Sequence, residues 1–141
     1  MKTSKLLFLV IVVFFSRPIK AQKITWFNVD WVVVPKKEAV YYRVEPKKIK
    51  RGYLLTDYYL NGVKKREGVS KVYYPNEEYY IDVVKTYFET GNLHTRVRYK
   101  EGLRNGIWRE YYKNGKIKER GKYRVGKKVG VWKIFYKNSY K

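Results

Sequence analysis

The sequence predicts an all-β fold, an elongated and twisted antiparallel sheet of tandem β-hairpin repeats preceded by an N-terminal capping segment. Three observations predict it. A 24-residue step carries Trp108 to Trp132, Tyr87 to Tyr111, Phe88 to Tyr112 to Tyr136, Gly91 to Gly115, Tyr99 to Tyr123, Gly102 to Gly126 and Gly106 to Gly130. A fixed period of this size marks stacked supersecondary units. Polarity also alternates with period two inside each copy, which is the strand signature. Ile117, Glu119, Gly121 and Tyr123 share one face against Lys116, Lys118, Arg120 and Lys122, and Leu93, Thr95, Val97 and Tyr99 oppose Asn92, His94, Arg96 and Arg98. Finally, Asn114-Gly115 and Asn61-Gly62 are dipeptides that supply two positive φ angles to a tight hairpin turn, and Thr90-Gly91 keeps the glycine. Each copy therefore reads as one hairpin. Gly102 with Gly106, and Gly126 with Gly130, are expected to form a looser link to the next copy.

Residues 1–21 read as a signal peptide. Lys2 and Lys5 precede an apolar run from Leu6 to Phe15, Arg17-Pro18 interrupts it, and Ala21-Gln22 offers a small residue for cleavage. The run is about half the roughly 20 residues a membrane-spanning helix needs, so no span is expected in the mature chain, the alternative being retention as an uncleaved anchor. Residues 22–50 follow as a β cap, with one apolar run at Trp26, Phe27 and Trp31 to Val34 and another at Val40 to Val44. A repeat array exposes apolar surface at its ends, and a non-repeating cap covers it. Residues 51–141 form the array: a degenerate copy at about 52–83, copies at about 84–107 and 108–131, and a truncated copy at 132–141. In the degenerate copy Gly52, Tyr58, Tyr59, Asn61, Gly62 and Gly68 stand for Gly106, Tyr111, Tyr112, Asn114, Gly115 and Gly121, and the stretch from Val69 to Val83 lengthens the step.

The run from Gly121 through Tyr123, Gly126 and Gly130 to Trp132, preceded by the aromatic pair Tyr111-Tyr112 and by Asn114-Gly115, resembles the MORN repeat in its bacterial variant. Val97 departs from the pattern where it has glycine, as does Ser139 where the last Asn-Gly would stand. The resemblance implies a sheet of successive hairpins with a binding or scaffolding role. Some bacterial relatives are labelled antitoxins, and others carry such repeats ahead of an envelope energy-transducer domain.

Composition narrows the chemistry. There is no cysteine and one histidine, His94, so neither a nucleophile triad nor a thiolate or multi-histidine metal site can be assembled. Glu77, Glu78 and Asp82 are the local acid cluster, and they balance nearby cations more readily than they cleave glycosidic bonds. The expectation is a non-enzyme without cofactor. The formal net charge of +21 becomes +17 once Lys2, Lys5, Arg17 and Lys20 leave with the signal peptide. Such a charge attracts anions over a Debye length, about 8 to 10 Å at physiological salt. Arg96, Arg98, Lys116, Lys118, Arg120 and Lys122 form the candidate binding face, for a protein partner or an anionic envelope component such as lipid, lipopolysaccharide or acidic polysaccharide. Nucleic acid is disfavoured outside the cytoplasm. The competing readings are an antitoxin-like protein that neutralises a toxin by binding, and a carbohydrate-binding envelope protein that uses the aromatic ladder or the acid cluster. Against both stands a plain reading of the charge, since lysines on a sheet also discourage aggregation.

The order of the N-terminal segment makes the compartment testable. On cell fractionation we expect a chain shortened to about Ala21 or Gln22 outside the cytosol; full-length protein in the cytosol would instead favour the antitoxin reading.

Overall fold

The computed structural model describes residues 22–74 and 77–137, so the expected signal peptide and the Ser139 position lie outside the described residues. Among the described residues ten strands form a single open sheet. They are β1 (Ile24–Phe27), β2 (Tyr41–Val44), β3 (Lys47–Ile49), β4 (Gly52–Tyr59), β5 (Lys64–Ser70), β6 (Tyr80–Tyr87), β7 (Leu93–Lys100), β8 (Leu103–Tyr111), β9 (Ile117–Arg124) and β10 (Lys127–Ile134). Sequential strands lie side by side and antiparallel, with β2 and β3 sharing one edge of β4. The 3-10 turn Lys36–Glu38 is the helical element among the described residues, and no helix there is long and apolar enough to cross a membrane.

One face of the sheet is packed and the other is open. Leu55, Tyr80 and Val84 are buried together on the packed face, with Tyr53, Tyr73 and Tyr99 around them. Tyr73 reaches it from the stretch that follows β5. Farther along the same face, glycine makes room for an aromatic ring. A Cβ on Gly121 would collide with the indole of Trp132, and one on Gly68 would press on Tyr80 and Val84. Trp108 stands directly opposite Gly121 and Val97, and Tyr123 meets both indoles edge-on, at 5.9 Å from Trp108 and 5.1 Å from Trp132. Both tryptophans remain partly exposed, because among the described residues no second layer covers the sheet.

The turns reverse the expected assignment. At Asn114-Gly115 only the glycine has positive φ, at 82°, and Gly62 behaves alike at 85°. Each closes a longer loop: Tyr112 N–H donates to Lys116 O, and the Asn114 side-chain oxygen accepts from Lys116 N–H. That asparagine bond organises the loop without needing a left-handed asparagine. The two-residue turns with two positive φ angles are Glu101-Gly102 (52° and 76°) and Val125-Gly126 (46° and 78°). What sequence marked as the looser link is thus the tighter turn, its twist matched to the strands it joins. A third 24-residue feature is a bulge at Asp82, Gly106 and Gly130, all with positive φ. Asp82 occupies it without glycine, and its carboxylate receives Arg51 at 2.7 Å.

The seating of Trp132 over Gly121 generates a test. Trp132→Ala is expected to cost about 2 to 3 kcal/mol, below the range for a fully buried tryptophan because the ring is partly exposed. Trp108→Ala should cost at least as much, since strands flank it on both sides. Gly121→Ala should cost about 1 to 3 kcal/mol through overpacking. Its cost should largely vanish in the Trp132→Ala background, measured by denaturant unfolding as a non-additive pair.

Candidate functional site

Register, read strand by strand, assembles a row of cations on the open face. Glu67 of β5 lies opposite Lys85 of β6, which lies opposite Arg96 of β7. Arg96 faces Arg109 of β8, Arg109 faces Arg120 of β9, and Arg120 faces Lys133 of β10. Five consecutive strands each contribute one cation at the same level, with neighbouring strands about 4.8 Å apart. At the β5 end Glu67 accepts from Lys64 at 2.8 Å and from the Tyr87 hydroxyl, and it lies 3.4 Å from Lys85. Burial alone would raise the Glu67 pKa. The Lys64 and Tyr87 hydrogen bonds outweigh it and hold the carboxyl below its ordinary value. From Arg96 to Lys133 the row is different: among the described residues no carboxylate lies within ion-pair distance of Arg96, Arg109, Arg120, Lys122 or Lys133.

The row lies along a trough. One concavity of about 540 Å³ is lined by Arg109, Arg120, Lys122, Arg124 and Lys133 with Ile107, Val129 and Val131. A second of about 340 Å³ adjoins it through the shared residues Ile107 and Arg109 and is lined by Arg96, Arg98 and Val83. The walls are therefore aliphatic and the row is guanidinium and ammonium. Ile107 and Val131 stand 51% and 79% exposed, so the walls are open to a ligand.

Of the six cations singled out from sequence, Arg96, Arg98, Arg120 and Lys122 flank this trough, and two do not. A bulge in each Asn-Gly-type hairpin inserts one residue, which turns the following side chains over. The register slips between Glu110 and Tyr111 opposite β9, and between Thr86 and Tyr87 opposite β7. Lys118 consequently reaches Glu110 at 2.8 Å and His94 reaches it at 3.4 Å, on the face of Thr95 and Glu119. The Glu110 hydrogen bond holds the Lys118 pKa above its ordinary value. Lys116 sits at the end of the Asn114 turn, away from the row. Arg98 is partly engaged, 3.6 Å from Asp82. Sequence reading missed Lys85, Arg109 and Lys133, although they are themselves 24 residues apart, as are Arg96 and Arg120.

The acid cluster has a structural partner. Glu78 accepts from Arg43 at 2.5 Å and from Arg66 at 2.7 Å, while Asp57 accepts from the same two residues at 2.6 and 2.7 Å. Arg43 and Asp57 are fully buried. Phe27 and Trp31 of the N-terminal segment cover them, with the Arg66 guanidinium 3.9 Å from the centre of the Trp31 ring and that of Arg43 5.2 Å from Phe27. Burial opposes the charge on Arg43, but hydrogen bonds and charges from Asp57 and Glu78 prevail and raise its pKa. Glu78 is thus engaged in this cluster by two guanidinium groups. Glu77 is exposed and Asp82 is paired with Arg51. Among the described residues no group of three or more His, Cys, Asp or Glu is placed to hold a metal ion. Within the aromatic ladder, Trp108 and Trp132 meet Tyr123 at 75° and 84° and not face to face, with Arg104 over the Trp108 ring and Lys128 over the Trp132 ring.

The sequence pattern of the family described as MORN repeat variant matches residues 83–101 and 104–124, the hairpins β6–β7 and β8–β9. The chain carries MORN-type repeats over the four strands that hold Lys85, Arg96, Arg109 and Arg120. Repeats of this kind are generally binding or scaffolding modules, often for proteins or lipids, and are typically non-catalytic. No curated protein and no solved structure matches the chain.

The buried four-residue cluster yields its own test. Asp57→Ala removes the fully buried carboxylate shared by Arg43 and Arg66, leaving Glu78 alone to hold both, and is expected to destabilise by about 3 kcal/mol. Arg51→Ala breaks an exposed pair and should cost at most about 1 kcal/mol. Equal losses in denaturant melts would show that the cluster does not anchor the N-terminal segment.

Proposed function

We propose that the chain is an exported, non-enzymatic repeat protein that binds or scaffolds an anionic component of the cell envelope, or an acidic protein there, through the open face of its sheet. The observation that carries this reading is the cation row from Arg96 to Lys133, directly opposed strand by strand and, among the described residues, without a carboxylate within ion-pair distance. Like charges placed opposite one another each cost about 0.2 to 1 kcal/mol. An external anion removes that repulsion, and it is drawn to the row by the field of a strongly basic chain. The N-terminal pattern of basic residues, apolar run and small exit residue supports an extracytoplasmic site of action. The acid cluster is occupied in holding Arg43 and Arg66, which supports a binding role over hydrolysis.

The test is the triple variant Arg96→Gln/Arg109→Gln/Arg120→Gln, assayed at about 0.15 M salt, where long-range screening is already strong. Phosphatidylglycerol vesicles, lipopolysaccharide and a polyuronate serve as probes. We expect the wild type to bind at least one of them, and the variant none, with a melt unchanged within about 0.5 kcal/mol or slightly raised. Equal behaviour of wild type and variant toward all three probes would reduce the charge to a solubility device.

A further inference from the structure

At the Asn-Gly end of the array a concavity of about 540 Å³ opens between the turn that follows β6, the turn between β8 and β9, and Lys137 beyond β10. Glu110, which lines it, lies opposite Thr95 and Glu119, so the pocket is on the other face of the sheet from the cation row. We propose that this pocket binds a small amphiphile, a flat or short apolar body that carries one carboxylate. Its volume falls within the range of about 300 to 1,000 Å³ of small-molecule sites. Phe88, Tyr111 and Tyr112 line it with aromatic surface, which takes up an apolar body. The Phe88 ring is itself packed on His94, with 4.3 Å between ring centres. Two hydrogen bonds between turns fix the frame. The Asn92 side-chain amide donates to Lys113 O at 2.6 Å, and the Tyr112 hydroxyl donates to Phe135 O at 2.8 Å. The pocket is thus built before a ligand arrives.

The charge around the pocket selects the head group. Glu110 is the carboxylate in its lining, and it is engaged by Lys118 at 2.8 Å and lies 3.4 Å from His94. Lys113 and Lys137 line the same pocket and stand exposed, and among the described residues no carboxylate lies within ion-pair distance of either. Aromatic rings beside a bare carboxylate would suit a cation. Here three lysines against one glutamate repel a cation and leave two ammonium groups for an anion. A fully hydrated anion gains nothing from the rings, and an uncharged apolar molecule gains nothing from the lysines. A molecule with both parts uses both. A free carboxylic acid and the apolar C-terminal residue of a protein present this same chemistry.

His94 is the one histidine of the chain and lines the pocket, so its Hε1 proton resonance reports occupancy directly. The full chain is titrated by NMR at about 0.15 M salt with 3-phenylpropionate, its amide, acetate, and N-acetylglycylphenylalanine with a free carboxylate. We expect 3-phenylpropionate to move the resonance saturably and to bind at least about tenfold more tightly than the amide or acetate, each of which lacks one of the two contacts. The exposed pair Lys113→Gln/Lys137→Gln should weaken it at least about fivefold, whereas Arg96→Gln/Arg109→Gln, which removes the same charge from the other face, should change it by less than about twofold because that face is screened. Tighter binding of the peptide than of the free acid identifies a protein C-terminus as the source of the ligand, and weaker binding a free acid; the pocket stands in both cases. Equal affinity for acid and amide, equal weakening by the two double variants, or a His94 resonance that no probe moves overturns the proposal. The anion-binding reading of the open face is independent of each of these results.

Discussion

The backbone register between antiparallel strands is the constraint on which everything else in this protein depends. One 24-residue period is a pair of strands and their two turns. Equivalent residues of successive copies therefore land two strands apart on the same face, and the hairpin partner fills the strand between. Lys85, Arg109 and Lys133 take alternate strands in this way, while Arg96 and Arg120 fill the gaps. The same arithmetic on the packed face brings Trp108 opposite Gly121 and seats Trp132 above it. A slip of one residue would exchange the two faces. The recurring bulges and the paired positive-φ turns at Glu101-Gly102 and Val125-Gly126 hold the register against that slip.

The two faces carry opposite energetic signs. The packed face contributes burial of Leu55, Tyr80 and Val84, the seated indoles, and a cluster of two arginines and two carboxylates that ties the N-terminal segment to β4, β5 and the β5–β6 connection. Cations over aromatic rings cover part of the packed face, as Lys128 does at 3.9 Å from the Trp132 ring. The open face contributes repulsion. A sheet can tolerate opposed cations at a few tenths of a kcal/mol each when its other face is well packed, and the proposed ligand is what turns that repulsion into binding.

Much of the fold was legible because its signals are local and repeated. Period two gave strands, and the 24-residue step gave hairpins in sequence. Turn assignment went astray because Asn-Gly is a statistical mark of two positive φ angles, and here the Asn114 side chain bonds Lys116 N–H and stabilises a longer loop. Val125 at φ 46° could not be read at all, since nothing in a β-branched side chain advertises that conformation. The candidate site was half legible. Alternation along β7 and β9 found Arg96, Arg120 and Lys122, but strict alternation carried Lys118 and His94 to the wrong face because a bulge is invisible to a period of two. Arg109 was missed because β8 was read for its tryptophan and its glycines. The buried cluster of Arg43, Asp57, Arg66 and Glu78 left no local trace, for its members are brought together only by tertiary pairing across 35 residues.

The central claim, that register places one cation per strand in a row, is most directly measured by cross-linking, because the chain contains no cysteine to interfere. Directly opposed residues on antiparallel strands have Cα atoms about 4.5 to 5.5 Å apart, within reach of a disulfide, whereas diagonal neighbours lie farther apart. In the double variant Arg109→Cys/Arg120→Cys the account predicts rapid intramolecular disulfide formation under mild oxidation, and in Arg109→Cys/Lys122→Cys little or none. Faster closure of the second pair than of the first would contradict the register, and with it the row.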